Sequence, residues 1–200
     1  MIKKKIAILG STGSVGQSSL QVLRNNFKKF KIVLLSANSN YSLIIKQIQK
    51  YKPKYFIVND KSTFIKILKK YKKGRTKIYN NFSDIPSKIK FDITISAIVG
   101  IAGLQPTINF IKKSKKVLLA NKESIICGWH ILKKVSKKNK TKILPVDSEH
   151  FSIYQLTRNY QDSDIKKIYI TASGGPFLRK ALGHFKNIKA DDAAKHPNWK

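Results

Sequence analysis

The stretch Pro145-Val146-Asp147-Ser148-Glu149-His150 sets two carboxylates at i and i+2 with a hydroxyl between them. Carboxylate oxygens so spaced can converge on one hard divalent cation, Mg²⁺ or Mn²⁺, with remaining ligands drawn from water, substrate or a further carboxylate. The same spacing fits a helix start with Asp147 or Ser148 as N-cap, and His150 reads as a packing or capping residue rather than a ligand. Gly10-Ser11-Thr12-Gly13-Ser14-Val15-Gly16 is a GxxGxxG run. Its glycines let the backbone turn tightly and approach a pyrophosphate, and a following helix presents free N–H groups to it. Asn121-Lys122-Glu123-Ser124 offers Lys122 to a substrate anion, or else forms a plain capping turn. Ser173-Gly174-Gly175 can shape an anion-binding nest. His196-Pro197-Asn198-Trp199 puts an imidazole and an indole where a closing loop excludes water.

These motifs need elements to hold them. Short Ile/Val/Leu-rich runs predict buried strands at 5–9, 31–37, 55–58, 77–79, 91–97, 116–120, 142–146 and 166–172. Helical spacing of apolar residues predicts helices over 14–27, 41–51, 61–71, 104–112, 123–136 and 149–158. This alternation predicts an α/β fold with a Rossmann-like, doubly wound parallel sheet over residues 1–145. Periodicity changes after Pro145, and 146–200 reads as the beginning of a second, α+β domain. Each of the first three motifs falls just past a strand, where open α/β sheets bind ligands. The second strand ends Ser36-Ala37-Asn38-Ser39-Asn40 without the acid that usually holds the ribose of NAD, so neutral donors there suit the 2′-phosphate of NADP.

Composition narrows the classes. The 200 residues hold 41 Lys+Arg against 10 Asp+Glu, a formal charge of +31, with 42% hydrophobic residues. That apolar fraction excludes wholesale disorder, and a lone Cys127 excludes a disulfide scaffold. No apolar run reaches the ~20 residues of a membrane span, and the N-terminal apolar run is too short for a secretory signal. We therefore expect a cytoplasmic chain with no membrane partner. The charge points to a polyanion partner or to a lysine-rich solvated surface. Its Lys residues are scattered and only Arg24, Arg75, Arg158 and Arg179 are arginines, which disfavours specific nucleic-acid readout.

The ordered set GSTGSVG, LLANKES, LPVDSEH, ASGGPF and HPNW resembles the 1-deoxy-D-xylulose 5-phosphate reductoisomerase family. The resemblance runs the length of the chain and matches about the first half of that family. It implies NADPH-dependent conversion of 1-deoxy-D-xylulose 5-phosphate, a phosphorylated sugar, into 2-C-methyl-D-erythritol 4-phosphate in the non-mevalonate isoprenoid pathway. It further implies a homodimer when full length, and a NADPH-binding domain (1–145) followed by the start of the catalytic domain (146–200). On it, Thr12, Gly13, Ser14 and Val15 line the pyrophosphate, and Ala37, Asn38, Ser39 and Asn40 surround the adenosine phosphate. Asn121 and Glu123 contact cofactor. Asp147 and Glu149 bind Mg²⁺ or Mn²⁺, and Lys122, Ser148, Glu149, Ser173 and His196 hold substrate, His196 from the closing loop with Trp199. Lys122, Glu149 and His196 are the expected catalytic residues. The family has a further carboxylate ligand and phosphate-binding residues beyond position 200, so these 200 residues are expected to bind NADPH with little turnover. Rival readings are a different NADP-dependent reductase and a basic nucleic-acid-binding module. The first needs a catalytic cysteine, and Cys127, mid-helix among apolar neighbours, is expected to be buried.

Overall fold

A computed structural model describes residues 2–71, 74–170 and 175–195. Packing divides the chain into one unit over 1–155 and another over 156–200. In the first, strands β1 (Lys4–Leu9), β2 (Phe30–Ala37), β3 (Tyr55–Val58), β4 (Lys77–Tyr79), β5 (Phe91–Ser96), β6 (Ser114–Leu119) and β7 (Lys142–Pro145) form a single sheet. All neighbours run parallel, in the order β4-β3-β2-β1-β5-β6-β7. The helices are α1 (Ser14–Asn25), α2 (Tyr41–Tyr51), α3 (Lys61–Lys70), α4 (Leu104–Ile111), α5 (Lys122–Asn139) and α6 (Ser148–Thr157). The expected doubly wound sheet is present, with element ends within a few residues of those the periodicity predicts.

The sheet's centre explains its sequence. The last four residues of β1 are buried, because helices and turns cover both faces of a parallel sheet. Alternate side chains then enter different cores. Ile6 and Ile8 pack with Leu35 and Phe56 against Leu20 and Leu23 of α1 and Ile44 and Ile48 of α2. Ala7 and Leu9 join Leu34, Ile57, Phe91 and Phe110 on the opposite face. Phe110 stacks on Phe91 at 5.6 Å between ring centroids and meets Phe82 edge-on at 6.2 Å. A third cluster, Ile111, Val117, Leu119 and Leu132, seats α4 and α5 on β6. From β1 the chain builds to one edge, returns, and builds to the other. The carboxyl ends of β1 and β5 therefore part and open a crevice.

Acids, though few, are placed where backbone donors need them. Asp60 caps α3, accepting from Thr63 N–H at 2.7 Å and Ser62 Oγ at 2.6 Å. Those bonds, the Ser62 hydroxyl foremost, pull its pKa down from 3.8 to about 2. Asp92 accepts from Lys115 Nζ and from Lys5 N–H, each at 2.8 Å, and the Lys115 bond leads in lowering its pKa. The Lys113 ammonium donates to the Ile85 and Pro86 carbonyls, and partial burial lowers its pKa, with Lys90 adding repulsion.

The second unit contains 3-10 turns at Asp162–Asp164, Gly175–Phe177 and Leu182–Asn187 and a short helix α7 (Ala190–Ala194). Two sequence expectations fail. Of the strand expected over 166–172, residues 166–170 are described and form none; Ile168, Tyr169 and Ile170 stand exposed. An apolar run becomes a strand only by lateral hydrogen bonding, and among the described residues no strand pairs with it. Cys127, expected to be buried, is exposed. Gly128 and Leu132 turn inward from α5 instead, and Cys127 lies to one side of that stripe.

Phe110→Ala should cost about 3–5 kcal/mol in a urea titration, the range for emptying a well-packed aromatic site; a cost under ~1 kcal/mol would contradict its place between Phe82 and Phe91. The Asp60 carboxyl should titrate with a midpoint of about 2 by carbon-detected NMR. Its folded pKa lies below the unfolded value, so its stabilising contribution is complete above about pH 4 and is lost as the pH falls toward 2. A midpoint at 3.8 or higher would remove the capping account.

Candidate active site at the carboxyl end of the sheet

The glycine run leaves β1 and enters α1 through a turn that close approach dictates. Gly10 has φ +81°, and a Cβ there would stand 2.6 Å from the Ala97 carbonyl oxygen. A Cβ on Gly16 would fall on the Gly10 carbonyl, so α1 could not start so near the strand with any other residue. Gly10 and Ser11 N–H both donate to Ser36 O of β2, at 3.1 and 2.7 Å. Gly13 is the N-cap and brings no side-chain cap, and no acid lies in the first turn. The first N–H groups of α1, on Ser14 and Val15, thus lack intrahelical acceptors and carry the positive end of the helix dipole. Thr12 is half-buried; Gly13, Ser14 and Val15 are exposed.

A cavity of about 620 Å³ opens beside this loop, lined by Thr12, Gly13, Ala37, Asn38, Asn59 and Val99 among others. Asn38, Ser39 and Asn40 are exposed at the end of β2. Asn40 spends its side-chain oxygen on Leu43 N–H at 3.1 Å as the cap of α2, and Ser39 O accepts from Tyr41 N–H at 2.7 Å. Ala37 and Asn38 line the cavity, Ser39 and Asn40 are not among its lining residues, and no acid lines it.

A second cavity, about 340 Å³, shares Gly13, Ala97, Ile98 and Val99 with the first and extends to Lys122, Glu123, Asp147, Ser148 and Glu149. Sequence positions 10–16, 97–99, 120–123 and 146–149 therefore meet at the ends of β1, β5, β6 and β7. Asn121 is the joint. Its Oδ1 caps α5 through Ser124 N–H at 2.7 Å, and its Nδ2 donates to Ile98 O and, at 2.8 Å, to Gly100 O. With 2% exposure and its amide engaged at both ends, it holds the 98–100 turn against α5. A Cβ on Gly103 would collide with that amide.

Asp147 divides its carboxylate. Oδ1 accepts from His150 N–H at 3.0 Å and pairs with His150 Nδ1 at 2.6 Å, capping α6. Oδ2 is buried without a hydrogen-bond partner, an arrangement that is costly for a carboxylate oxygen unless a donor or cation reaches it. Glu149 Oε1 lies 3.9 Å from Lys122 Nζ, with both side chains about half exposed; such a pair is weak and readily exchanged for another ligand. Ser148 stands exposed between the acids. The donor set thus fits a hard cation from the Asp147 side. Among the described residues no group of three His, Cys, Asp or Glu forms a ligand cluster, so this unit offers two carboxylates and leaves other positions to water, substrate or further ligands. Ser173, His196 and Trp199 lie outside the described residues.

Ser36 and Gln47 also shape this site, and sequence reasoning passed over them. The signal was a polar residue on a buried strand and another on the apolar stripe Ile44, Ile45, Ile48. Among the described residues no helix is long and apolar enough to cross a membrane.

The family model for 1-deoxy-D-xylulose 5-phosphate reductoisomerase matches residues 6–128, and that for the C-terminal domain of the same enzyme matches 143–200. A curated protein of that name from Pelagibacter ubique is 49% identical over 98% of this chain and 52% of its own length. One from Clostridium novyi is 41% identical with the same coverages. The solved enzyme from Zymomonas mobilis in complex with NADPH superposes with a TM-score of 0.81 at 29% identity, over 98% of this chain and 52% of its own. A structure in complex with NADPH, fosmidomycin and magnesium gives 0.79 at 32% identity with the same coverages. The chain spans about half the length of the curated relatives it matches.

Asn121→Ala should destabilise the first unit by about 2 kcal/mol or more, since it removes an N-cap and strips the donor from two partly buried carbonyls. Chemical denaturation measures this, and a loss under ~0.5 kcal/mol would deny Asn121 its joint role.

Proposed function

The chain belongs to the 1-deoxy-D-xylulose 5-phosphate reductoisomerase family, and from that membership we propose that it forms the NADPH-binding domain, 1–145, and the start of the catalytic domain, 146–200, of such an enzyme. The reaction is the NADPH- and divalent-metal-dependent rearrangement and reduction of 1-deoxy-D-xylulose 5-phosphate to 2-C-methyl-D-erythritol 4-phosphate. The full-length assembly is taken as a homodimer on the family resemblance. One observation carries the reading: Asp147, which lines a cavity adjoining the glycine loop, keeps one carboxylate oxygen, Oδ2, buried and unpartnered.

The chain's own groups divide the work. Thr12, Gly13, Ser14 and Val15 line the pyrophosphate, which the Thr12, Ser14 and Val15 N–H groups receive with the α1 dipole behind them, the Gly13 N–H being spent on Gly10 O. Ala37–Asn40 bound the adenosine phosphate, where Asn38 and Ser39 supply neutral donors. Asn121 keeps the 98–100 turn and the first turn of α5 in register, and Glu123, which lines the smaller cavity, contacts the cofactor in this reading. Asp147 Oδ2 and Glu149 hold the cation, while His150 keeps Oδ1 occupied and so fixes which oxygen is offered. Lys122 gives up its weak contact with Glu149 and donates to a substrate oxygen where negative charge develops. Ser148 lies beside it to orient the substrate. The family resemblance assigns Ser173 and His196 to substrate binding as well. When bound, NADPH supplies the hydride for the aldehyde produced by retro-aldol/aldol rearrangement of the carbon skeleton, and Mg²⁺ or Mn²⁺ supplies the opposing charge.

Manganese binding followed by electron paramagnetic resonance, beside an NADPH fluorescence titration, tests this. Asp147→Asn keeps a capping residue for α6 but should weaken Mn²⁺ at least tenfold and leave NADPH affinity within about twofold, the cost of one charged ligand being over ~1.4 kcal/mol. Unchanged Mn²⁺ affinity would overturn the metal assignment.

A further inference from the structure

Residue 47 is a polar side chain on an apolar stripe. Its neighbours on α2, Ile44, Ile45 and Ile48, are buried in the core, and Gln47 itself is 5% exposed. Both ends of its amide go to one residue: Ser11 Oγ donates to Gln47 Oε1 at 2.6 Å, and Gln47 Nε2 donates to Ser11 O at 2.8 Å. Ser11 is wholly buried at the first bend of the glycine loop. An apolar side chain of the same size would pack there without the desolvation cost of an amide, so the gain must come from what the two bonds specify.

They specify a peptide plane. Ser11 C=O and Thr12 N–H belong to one planar trans unit and point in opposite directions. With the carbonyl tied to α2, the Thr12 N–H is turned away from α2, and Thr12 lines the larger cavity. Ser11 N–H is tied on its other side to Ser36 O at 2.7 Å. The two peptides that flank the Ser11 Cα are thus held one from β2, through the Ser11 N–H, and the next from α2, through the Ser11 carbonyl. Resting on the dinucleotide reading above, we propose that Gln47 is a positioning residue that aims the Thr12 N–H, and the turn behind it, at the cofactor's pyrophosphate. Without it the loop samples other orientations, and apparent affinity falls by the fraction of time the competent one is held.

Gln47→Met and Ser11→Ala test this in the chain as it stands. Gln47→Met should weaken NADPH about tenfold by fluorescence titration, ~1.4 kcal/mol, and ADP by a similar factor in competition. Adenosine 2′-monophosphate, which has no 5′-phosphate, should bind within twofold of the unaltered chain. Ser11→Ala, which keeps the carbonyl bond, should weaken NADPH about threefold with the same indifference to adenosine 2′-monophosphate. It decides the matter if Gln47→Met does not fold. The Gln47→Met/Ser11→Ala pair should be no worse than Gln47→Met alone, because both act through one contact. A folded variant that binds NADPH as the unaltered chain does, or that loses all these ligands equally, overturns the proposal. An unaltered chain that fails to bind NADPH overturns the dinucleotide reading and this proposal with it, whereas normal binding with indifferent variants overturns this proposal alone.

Discussion

The approach of Gly10 to Ala97 governs the rest of the site. Three backbones converge where β1 ends: the loop itself, the end of β2 through Ser36, and the end of β5 through Ala97. No side chain fits at residue 10, and none at residue 16 where α1 first passes the loop. Because those positions are empty, α1 begins close above the sheet and its N-terminal donors face the crevice rather than solvent at large. Because β5 is adjacent, the turn that follows it, 98–100, becomes a wall of both cavities. Asn121 then ties that wall to α5. A dinucleotide loop and a carboxylate pair more than 130 positions later in sequence are made neighbours by this one close contact and the sheet order around it.

The two readings of Asp147, helix cap or metal ligand, prove compatible because a carboxylate has two oxygens. Capping consumes Oδ1 through His150 and leaves Oδ2 buried and unpaired. A cap alone would not require burying the second oxygen; at Asp60, also a cap, the carboxylate stays in water and its pKa falls to about 2, chiefly through hydrogen bonds with a smaller contribution from the Lys66 charge. Two caps built from the same residue type thus differ in the fate of one atom, and that difference separates a structural acid from a candidate ligand.

Much of the fold was legible because a parallel sheet covered on both faces writes long apolar runs: Ile6–Leu9, Val33–Leu35 and Tyr55–Val58 read as strands with little ambiguity. Residues 166–170 show the limit of that signal. Ile168, Tyr169 and Ile170 have strand-forming side chains, but pairing belongs to a neighbour and not to the run itself. Cys127 fails for a related reason: apolar neighbours in sequence do not share a helical face. The site motifs were legible where glycines or paired acids mark them. Gln47 was not, because its meaning lies in Ser11, 36 positions away, and no local pattern records a long-range bond.

The surplus of lysine now has a physical context. Acids are few, and several serve as acceptors for backbone donors at helix and turn starts: Asp60, Asp147, Asp164 and Asp192 each accept from one. Glu123 and Glu149 are placed in the shared cavity. Most lysines are left to the solvated faces, where several rest their ammonium groups over aromatic rings, as Lys54 does over Tyr55 and Lys70 over Tyr41. A surface so charged raises the local concentration of any anion, phosphorylated substrate and dinucleotide alike, and salt weakens that attraction without touching the specific contacts. Selectivity must therefore reside in the crevice. In the function proposed for this chain, that task falls to the crevice's neutral amides, backbone N–H groups and one divided carboxylate.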